Sequence, residues 1–262
     1  MFNFDNQHVL VAGGTSGINL GIAKGFAKAG AKVSVFSRKL DKVQAAVGEL
    51  SALGVSAHGG TADVRDPDSV QEVLKGAVEA HGPIDVLVSG AAGNFPAPAL
   101  AMSANAFGSV VGIDLNGSFH VLRFAFEHLR KPGASIINIS APQAWIPMAF
   151  QAHVCAAKAG VDMLTRTLAM EWGPAGVRVN SLSPGPIDGT EGMKRLVMDE
   201  KFREPLRKSV PLQRMGTVED CADVAMFLAS PAARYVSGAV VPVDGGWSLA
   251  GASVAMSQLA NG

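Results

Sequence analysis

Tyrosine is almost missing from this chain. Of 262 residues only Tyr235 carries a phenol, and it lies far along, in Ser230-Pro-Ala-Ala-Arg-Tyr-Val-Ser-Gly238. No alignment of the earlier segments can put a tyrosine acid among them. Cysteine is scarce too. Cys155 and Cys221 make neither a disulfide framework nor a metal-ligand spacing, so no metal is expected and the default setting is a reducing, cytoplasmic one. Charge is thin, at 17% of residues, and balanced, with 22 Lys+Arg against 22 Asp+Glu. Without a basic run, nucleic acid is not an expected partner. No apolar run approaches the roughly 18 residues that a membrane helix requires, so no membrane contact is expected either. The first residues, Met1-Phe-Asn-Phe-Asp-Asn6, hold no basic region and no apolar signal core. The last ones, Gln258-Leu-Ala-Asn-Gly262, are not a peroxisomal address.

Apolar residues, by contrast, make up 48% of the chain. At this length that suffices for one large α/β domain with a full core and for subunit contacts. Strands are expected at 7–12, 31–36, from 55 to 58, and at 84–89, 135–139, 177–182 and 239–243. Helical segments alternate with them, at 18–29, 40–53, 67–80, 103–129, a long one running through 158 to 172, 191–202 and 218–229. Gly30 and Gly54 close the first two helices, and Pro67 sits at the start of the third, where a missing N–H does no harm. Such alternation marks a parallel sheet covered on both faces. The expected fold is a Rossmann-type doubly wound α/β sheet, one domain over 1–262 without repeat or linker.

Between the first strand and first helix lies Val11-Ala-Gly-Gly-Thr-Ser-Gly-Ile-Asn-Leu-Gly21. Glycines let the backbone turn tightly and approach a pyrophosphate, whose charge is favoured by free N–H groups at a helix N-terminus. Gly13, Thr15, Ser16, Gly17 and Ile18 are the candidate contacts. Position decides here, since a glycine-rich loop that follows a strand and opens a helix is a dinucleotide fingerprint rather than an ordinary turn. The second strand ends in Ser37-Arg38-Lys39, with two cations where a carboxylate would bond a ribose 2′-hydroxyl. That end suits a 2′-phosphate. NADP(H) is therefore the expected cofactor, with Ser37 and Arg38 in contact.

Val154-Cys-Ala-Ala-Lys158, which opens the long helix, resembles the catalytic helix of the short-chain dehydrogenase/reductase family. There a Tyr four residues before the Lys supplies the acid, and residues so spaced share one helix face. Here Lys158 is kept, Val154 stands in the Tyr slot and Ala141 in the slot of the family's Ser. The family's Asn is replaced by Asp114 in Ile113-Asp114-Leu115-Asn116-Gly117, and Asn116 is out of register. The glycine loop also departs from the family's Gly-x-x-x-Gly-x-Gly. Asn19 takes the third position, and since Asn tolerates left-handed geometry this implies a re-aimed loop. The resemblance further implies Asp63 and Val64 at the adenine, and Ala91 beside the cofactor, in Ser89-Gly-Ala-Ala-Gly93 where the family has Asn-Asn-Ala-Gly. Pro184, Gly185 and Ile187 would hold the carboxamide end of the nicotinamide and Lys158 its ribose, and the family's Thr falls at Thr190, one residue late. A carboxyl of ordinary acidity is protonated in about one molecule in a thousand at neutral pH. Asp114 and Lys158 are thus expected to orient a water rather than to supply an acid directly. His153 and Cys155 are the other proton carriers nearby, and such residues more often serve packing.

The altered positions recur together in one branch. Ala91-Ala-Gly-Asn-Phe95, Ala101-Met-Ser-Ala-Asn-Ala-Phe107, Asp114, Ala141, Val154 and Pro184-Gly-Pro-Ile-Asp-Gly-Thr-Glu-Gly192 resemble peroxisomal-type 2,4-dienoyl-CoA reductases. The resemblance implies hydride transfer from NADPH to the δ-carbon of a 2,4-dienoyl-CoA and protonation at the α-carbon. A dienolate formed on a thioester needs stabilisation and a water proton rather than a phenol. Phe95, Ser103 and Asn105 are implied substrate contacts, Arg65 and Arg195 candidates for the CoA phosphates, and a homotetramer the implied assembly. Two other readings stand beside this one. The loop Gly17-Ile-Asn-Leu-Gly-Ile-Ala23 also resembles enoyl thioester reductases, whose Tyr seven before the Lys falls on Gln151. A degenerate NADP-binding sensor or scaffold is the other, and the intact Lys158 with Asp114 weighs against it.

Overall fold

The computed structural model describes residues 2–190, 193 and 203–249. Seven strands form one parallel sheet: β1 His8–Ala12, β2 Lys32–Ser37, β3 Ala57–Thr61, β4 Val86–Ser89, β5 Ser135–Ile139, β6 Arg178–Pro184 and β7 Val240–Val243. Their spatial order is β3-β2-β1-β4-β5-β6-β7, so the connections reverse direction between β1 and β4. The helices are α1 Gly17–Lys28, α2 Leu40–Ser51, α3 Pro67–His81, α4 Ala104–Val111, α5 Gly117–Ala125, α6 Ala152–Trp172, α7 Arg203–Ser209 and α8 Val218–Ala229.

The period-two rule of a strand sorts the core into two layers. Val9 and Val11 of β1 point to one face, where α1, α2 and α8 bring Ile22, Phe26, Leu50, Ala222 and Leu228. Leu10 and Ala12 point to the other, against Val70, Leu74, Val121, Leu122 and Leu168 of α3, α5 and α6. Helix starts are fixed locally. Asp66 caps α3 by accepting from the Asp68 N–H at 3.1 Å, with Pro67 following it. Thr217 and Asp220 form a reciprocal capping box on α8, and such caps stabilise by about 1 kcal/mol each.

The structure differs from expectation in three places. The third strand starts two residues later than the sequence suggests, because Val33 of β2 pairs with Ala57, and a strand reading Ala-His-Gly-Gly-Thr carries little β signal of its own. The segment 103–129 is broken: α4 gives way to a wide π turn, Gly112–Asn116, before α5 resumes. Helix α7 was not anticipated, and the helical segment expected at 191–202 lies outside the described residues apart from Met193.

A histidine cluster sits near the amino ends of β1, β2 and β3. His8 is buried; its Nδ1 lies 2.8 Å from the Gly82 carbonyl and its Nε2 2.8 Å from the Ser34 hydroxyl. The Ser34 hydroxyl in turn meets His81 Nδ1 at 3.0 Å, and His81 Nε2 meets the Ser56 hydroxyl at 3.0 Å. Burial, reinforced by the charge of His8, His58 and Lys32, lowers the His81 imidazole to about 4. Burial lowers His8 as well, opposed by the Gly82 carbonyl and Asp85. Folding therefore favours the neutral form of both rings. Above the unfolded value of 6.5 neither state binds the His81 proton; between 6.5 and about 4 the unfolded chain binds it and the folded protein does not. Stability should fall as pH drops from about 6.5 toward about 4. Urea midpoints measured at pH 7.5 and pH 5 should differ, and His81→Gln should flatten the difference. An equal slope in that variant would remove the cluster from the explanation.

Candidate active site

The crevice at the reversal point between β1 and β4 is where open α/β sheets bind ligands. Gly13 and Gly17 hold φ of +72° and +54°, a region L side chains rarely adopt, so the loop between β1 and α1 needs glycine there. A cavity of about 280 Å³ runs from Gly13, Thr15 and Ser16 to Ser37, Arg38 and Lys39, with Asp63, Val64, Ala91 and Ile113 along its wall. Lys42, one helical turn beyond Lys39, joins the same wall. The sequence reading missed it, although i and i+3 positions share a face.

Asp63 is the one carboxylate on this wall, and Arg65 engages it. The guanidinium grips it at 2.6 and 3.0 Å, and the Arg65 backbone N–H adds a bond at 3.0 Å. This pairing holds the Asp63 carboxyl below its usual range. Arg65, read above as a candidate for the CoA phosphates, is thus forked onto Asp63 here. A glycine cradle, three cations and a neutralised carboxylate fit a dinucleotide with a 2′-phosphate.

A second cavity, of about 380 Å³, adjoins the first. Ser16, Gly17, Ile18 and Asn19 line one side and Gly93, Asn94 and Phe95 the other, with Ile139 and Thr190 between. Pro184, Gly185 and Ile187 stand at the carboxyl end of β6. Thr190 follows them; its hydroxyl donates to the Ile187 carbonyl at 3.0 Å and accepts from the Met193 N–H at 3.1 Å. Its late register in sequence therefore does not remove it from the site.

Lys158 and Asp114 meet in a buried pair behind Gly93 and Ile139 of the second cavity, themselves lining neither cavity. Lys158 lies on α6, whose seat on the sheet is fixed by a polar chain: Asn138 Nδ2 donates to Thr165 Oγ1 at 2.8 Å, and Thr165 Oγ1 meets Ser181 Oγ at 2.8 Å. The Lys158 ammonium donates to the Ile139 carbonyl at 2.8 Å and stands 3.4 Å from Asp114 Oδ2. Asp114 is 1% exposed and sits in the π turn, a feature concentrated at functional sites. Its Oδ1 accepts the Gly93 N–H at 2.7 Å, while Oδ2 has no aligned hydrogen-bond donor among the described residues. An ammonium has three N–H groups, so the pair can hold one further polar group between them.

Val154 and Ala141 occupy the two positions without a donor, Val154 buried. His153 is fully buried, packs edge-on against Phe95 with ring centroids 4.5 Å apart, and neither ring nitrogen has a partner among the described residues. Cys155 is a half-buried free thiol. Ser103 caps α4, its hydroxyl accepting from the Ala106 N–H at 3.1 Å, and Asn105 is exposed in the first turn. Arg195 lies outside the described residues.

The cradle, the crevice and the helix-borne lysine define a nicotinamide-dependent oxidoreductase. A family model described as "Enoyl-(Acyl carrier protein) reductase" matches residues 12–248, and the chain belongs to the short-chain dehydrogenase/reductase family. It is 44% identical over 238 residues to the rat peroxisomal 2,4-dienoyl-CoA reductase, (3E)-enoyl-CoA-producing, which covers 90% of this chain and 82% of the relative. It is 38% identical over 245 residues to a Bacillus subtilis protein named "Probable 2,4-dienoyl-CoA reductase, (2E)-enoyl-CoA-producing", covering 92% of this chain and 96% of that one. Among solved structures, a short-chain type dehydrogenase/reductase from Mycobacterium ulcerans superposes with a TM-score of 0.90 at 34% identity, over 95% of this chain and 92% of the other. No helix among the described residues is long and apolar enough to cross a membrane.

Proposed function

We propose that the protein reduces a 2,4-dienoyl-CoA to a 3-enoyl-CoA with NADPH in a reducing, cytosolic setting. The observation that carries this reading is the buried Asp114–Lys158 pair beside positions 141 and 154, where neither residue has a proton to give. When bound, the reduced nicotinamide supplies the hydride. The chain's residues supply the rest. Lys158 would hold the nicotinamide ribose and, together with Asp114, which is fixed by the Gly93 N–H, would orient a water whose proton reaches the α-carbon. The product gains one hydride and one proton, and the thioester stays intact. The names of the relatives support the substrate class, and their two product forms make the double-bond position a quantity to measure.

The test is NADPH oxidation with 2,4-hexadienoyl-CoA, crotonyl-CoA, acetoacetyl-CoA and buffer alone. Turnover is expected with the dienoyl thioester only. Faster turnover of crotonyl-CoA would favour the enoyl thioester reading, which the description of the matching family model also favours. Oxidation in none of the arms would favour a sensor. Strong reduction of acetoacetyl-CoA would mean that another acid has replaced the Tyr, and the mechanism would fall.

Assembly is part of the same proposal. Phe119 of α5 and Met163 and Met170 of α6 are exposed on helices that pair subunits in proteins this chain resembles. A homotetramer is expected by light scattering at micromolar concentration, and a monomer there would refute it.

A further inference from the structure

We infer that Asn19 is a positioning residue that braces the Gly90–Gly93 crossover between the dinucleotide cradle and Asp114. The inference rests on the proposed function for its catalytic consequence, but not for its geometry. Asn19 stands at the first turn of α1, and its Nδ2 reaches across the crevice to donate to the Gly90 carbonyl at 2.7 Å, with a longer contact to the Gly13 carbonyl at 3.4 Å. Both cavities are lined by Asn19 and Gly90, so the side chain lies at the partition between them.

The two positions are complementary. A Cβ added to Gly90 would lie 2.6 Å from Asn19 Cγ, and closer still to both amide heteroatoms. A side chain at 90 would force the Asn19 amide out of this position. The amide of Asn19 fills the space that a residue at 90 would otherwise use. The Gly90 N–H meanwhile bonds the Ala12 carbonyl at 3.2 Å, so both backbone polar groups of Gly90 are held. Three residues later the Gly93 N–H is the hydrogen-bond donor to Asp114 Oδ1, at 2.7 Å. The path from Asn19 to the carboxylate is therefore four residues of one crossover, clamped at its first and last members. Removing the amide frees the Gly90 carbonyl, lets the crossover shift, and changes where Asp114 Oδ2 points relative to Lys158.

The experiment is a set of variants read by NADPH affinity, by kcat and by thermal midpoint. Asn19→Ala should weaken NADPH binding about five- to tenfold and lower kcat about tenfold while the fold is retained. Asn19→Asp should be worse than Ala, because a carboxylate would face two carbonyl oxygens. Gly90→Asn alone should be impaired by the clash, and Asn19→Gly combined with Gly90→Asn should recover affinity to within about threefold of the parent. A cycle with Asp114→Ala tests the path: the double variant Asn19→Ala/Asp114→Ala should be no slower than Asp114→Ala alone. Multiplicative losses would cut the link to Asp114. Unchanged affinity and kcat in Asn19→Ala, or a combined swap no better than either single variant, would overturn the inference. If the parent turns over no dienoyl-CoA, the proposed function fails by itself, and the affinity arm and the swap still decide the role of Asn19.

Discussion

Asp114→Ala should lower kcat on a dienoyl-CoA by about 10²–10⁴-fold, the usual worth of positioned proton transfer, while NADPH affinity stays near that of the parent. Lys158→Ala should damage both, since the family resemblance implies that its ammonium also holds the nicotinamide ribose. The distinction matters because the two side chains form one buried pair, 3.4 Å apart. Breaking such a pair leaves an uncompensated buried charge and costs on the order of 3–5 kcal/mol of stability. Thermal midpoints must therefore be read beside the rates. Asp114→Asn separates the possibilities. It keeps the shape and an oxygen to accept the Gly93 N–H, but it removes the charge. If the carboxylate acts by orienting water, the Asn variant should retain part of the rate; if it acts by charge or proton exchange, it should resemble Ala. Should both variants turn over substrate at the parent rate, Asp114 is structural. The next group to test is then His153, buried against Phe95 with no partner on either nitrogen among the described residues.

The parts of this site that were legible in the sequence are those written in local spacing. Lys158 follows Val154 by one helical turn, and the glycine loop sits between a strand and a helix, so neither requires tertiary information. The alternation of apolar runs likewise fixes a parallel sheet whose two faces are both covered. Asp114 was found by register, but not its setting: a wide turn inside a helical pattern leaves no mark in periodicity, because the residues on either side remain helix formers. Pairings across the sheet were invisible for a different reason. Asn19 with Gly90, His8 with His81, and Phe95 with His153 are separated by tens of residues, and only the packing of α1, α3 and α6 around β1 and the loop after β4 brings them together. Lys42 could have been read from its position one turn after Lys39. Arg65 could not, because its neighbour in sequence, Asp63, claims it only when the loop after β3 bends.

NADPH should bind this protein roughly 10–150-fold more tightly than NADH, the equivalent of one charge-assisted contact worth about 1.5–3 kcal/mol. The source of the preference is the end of β2, where Arg38, Lys39 and Lys42 line the cavity without a free carboxylate among them. All three cations are exposed, so their attraction is screened. The preference should consequently shrink as salt is raised, and its value in physiological buffer should fall toward the lower figure. Arg38→Ala should remove much of it and leave NADH affinity unchanged, because a 2′-hydroxyl gains little from a guanidinium. Arg65→Ala should act in the same direction from across the cavity. Without its fork, the Asp63 carboxylate faces the cleft unneutralised, opposing a 2′-phosphate and offering a partner to a hydroxyl. Fluorescence titration of both cofactors at two ionic strengths measures every term. Equal dissociation constants for NADPH and NADH in the parent would defeat the assignment, and a preference indifferent to salt and to Arg38→Ala would place its origin elsewhere in the cleft.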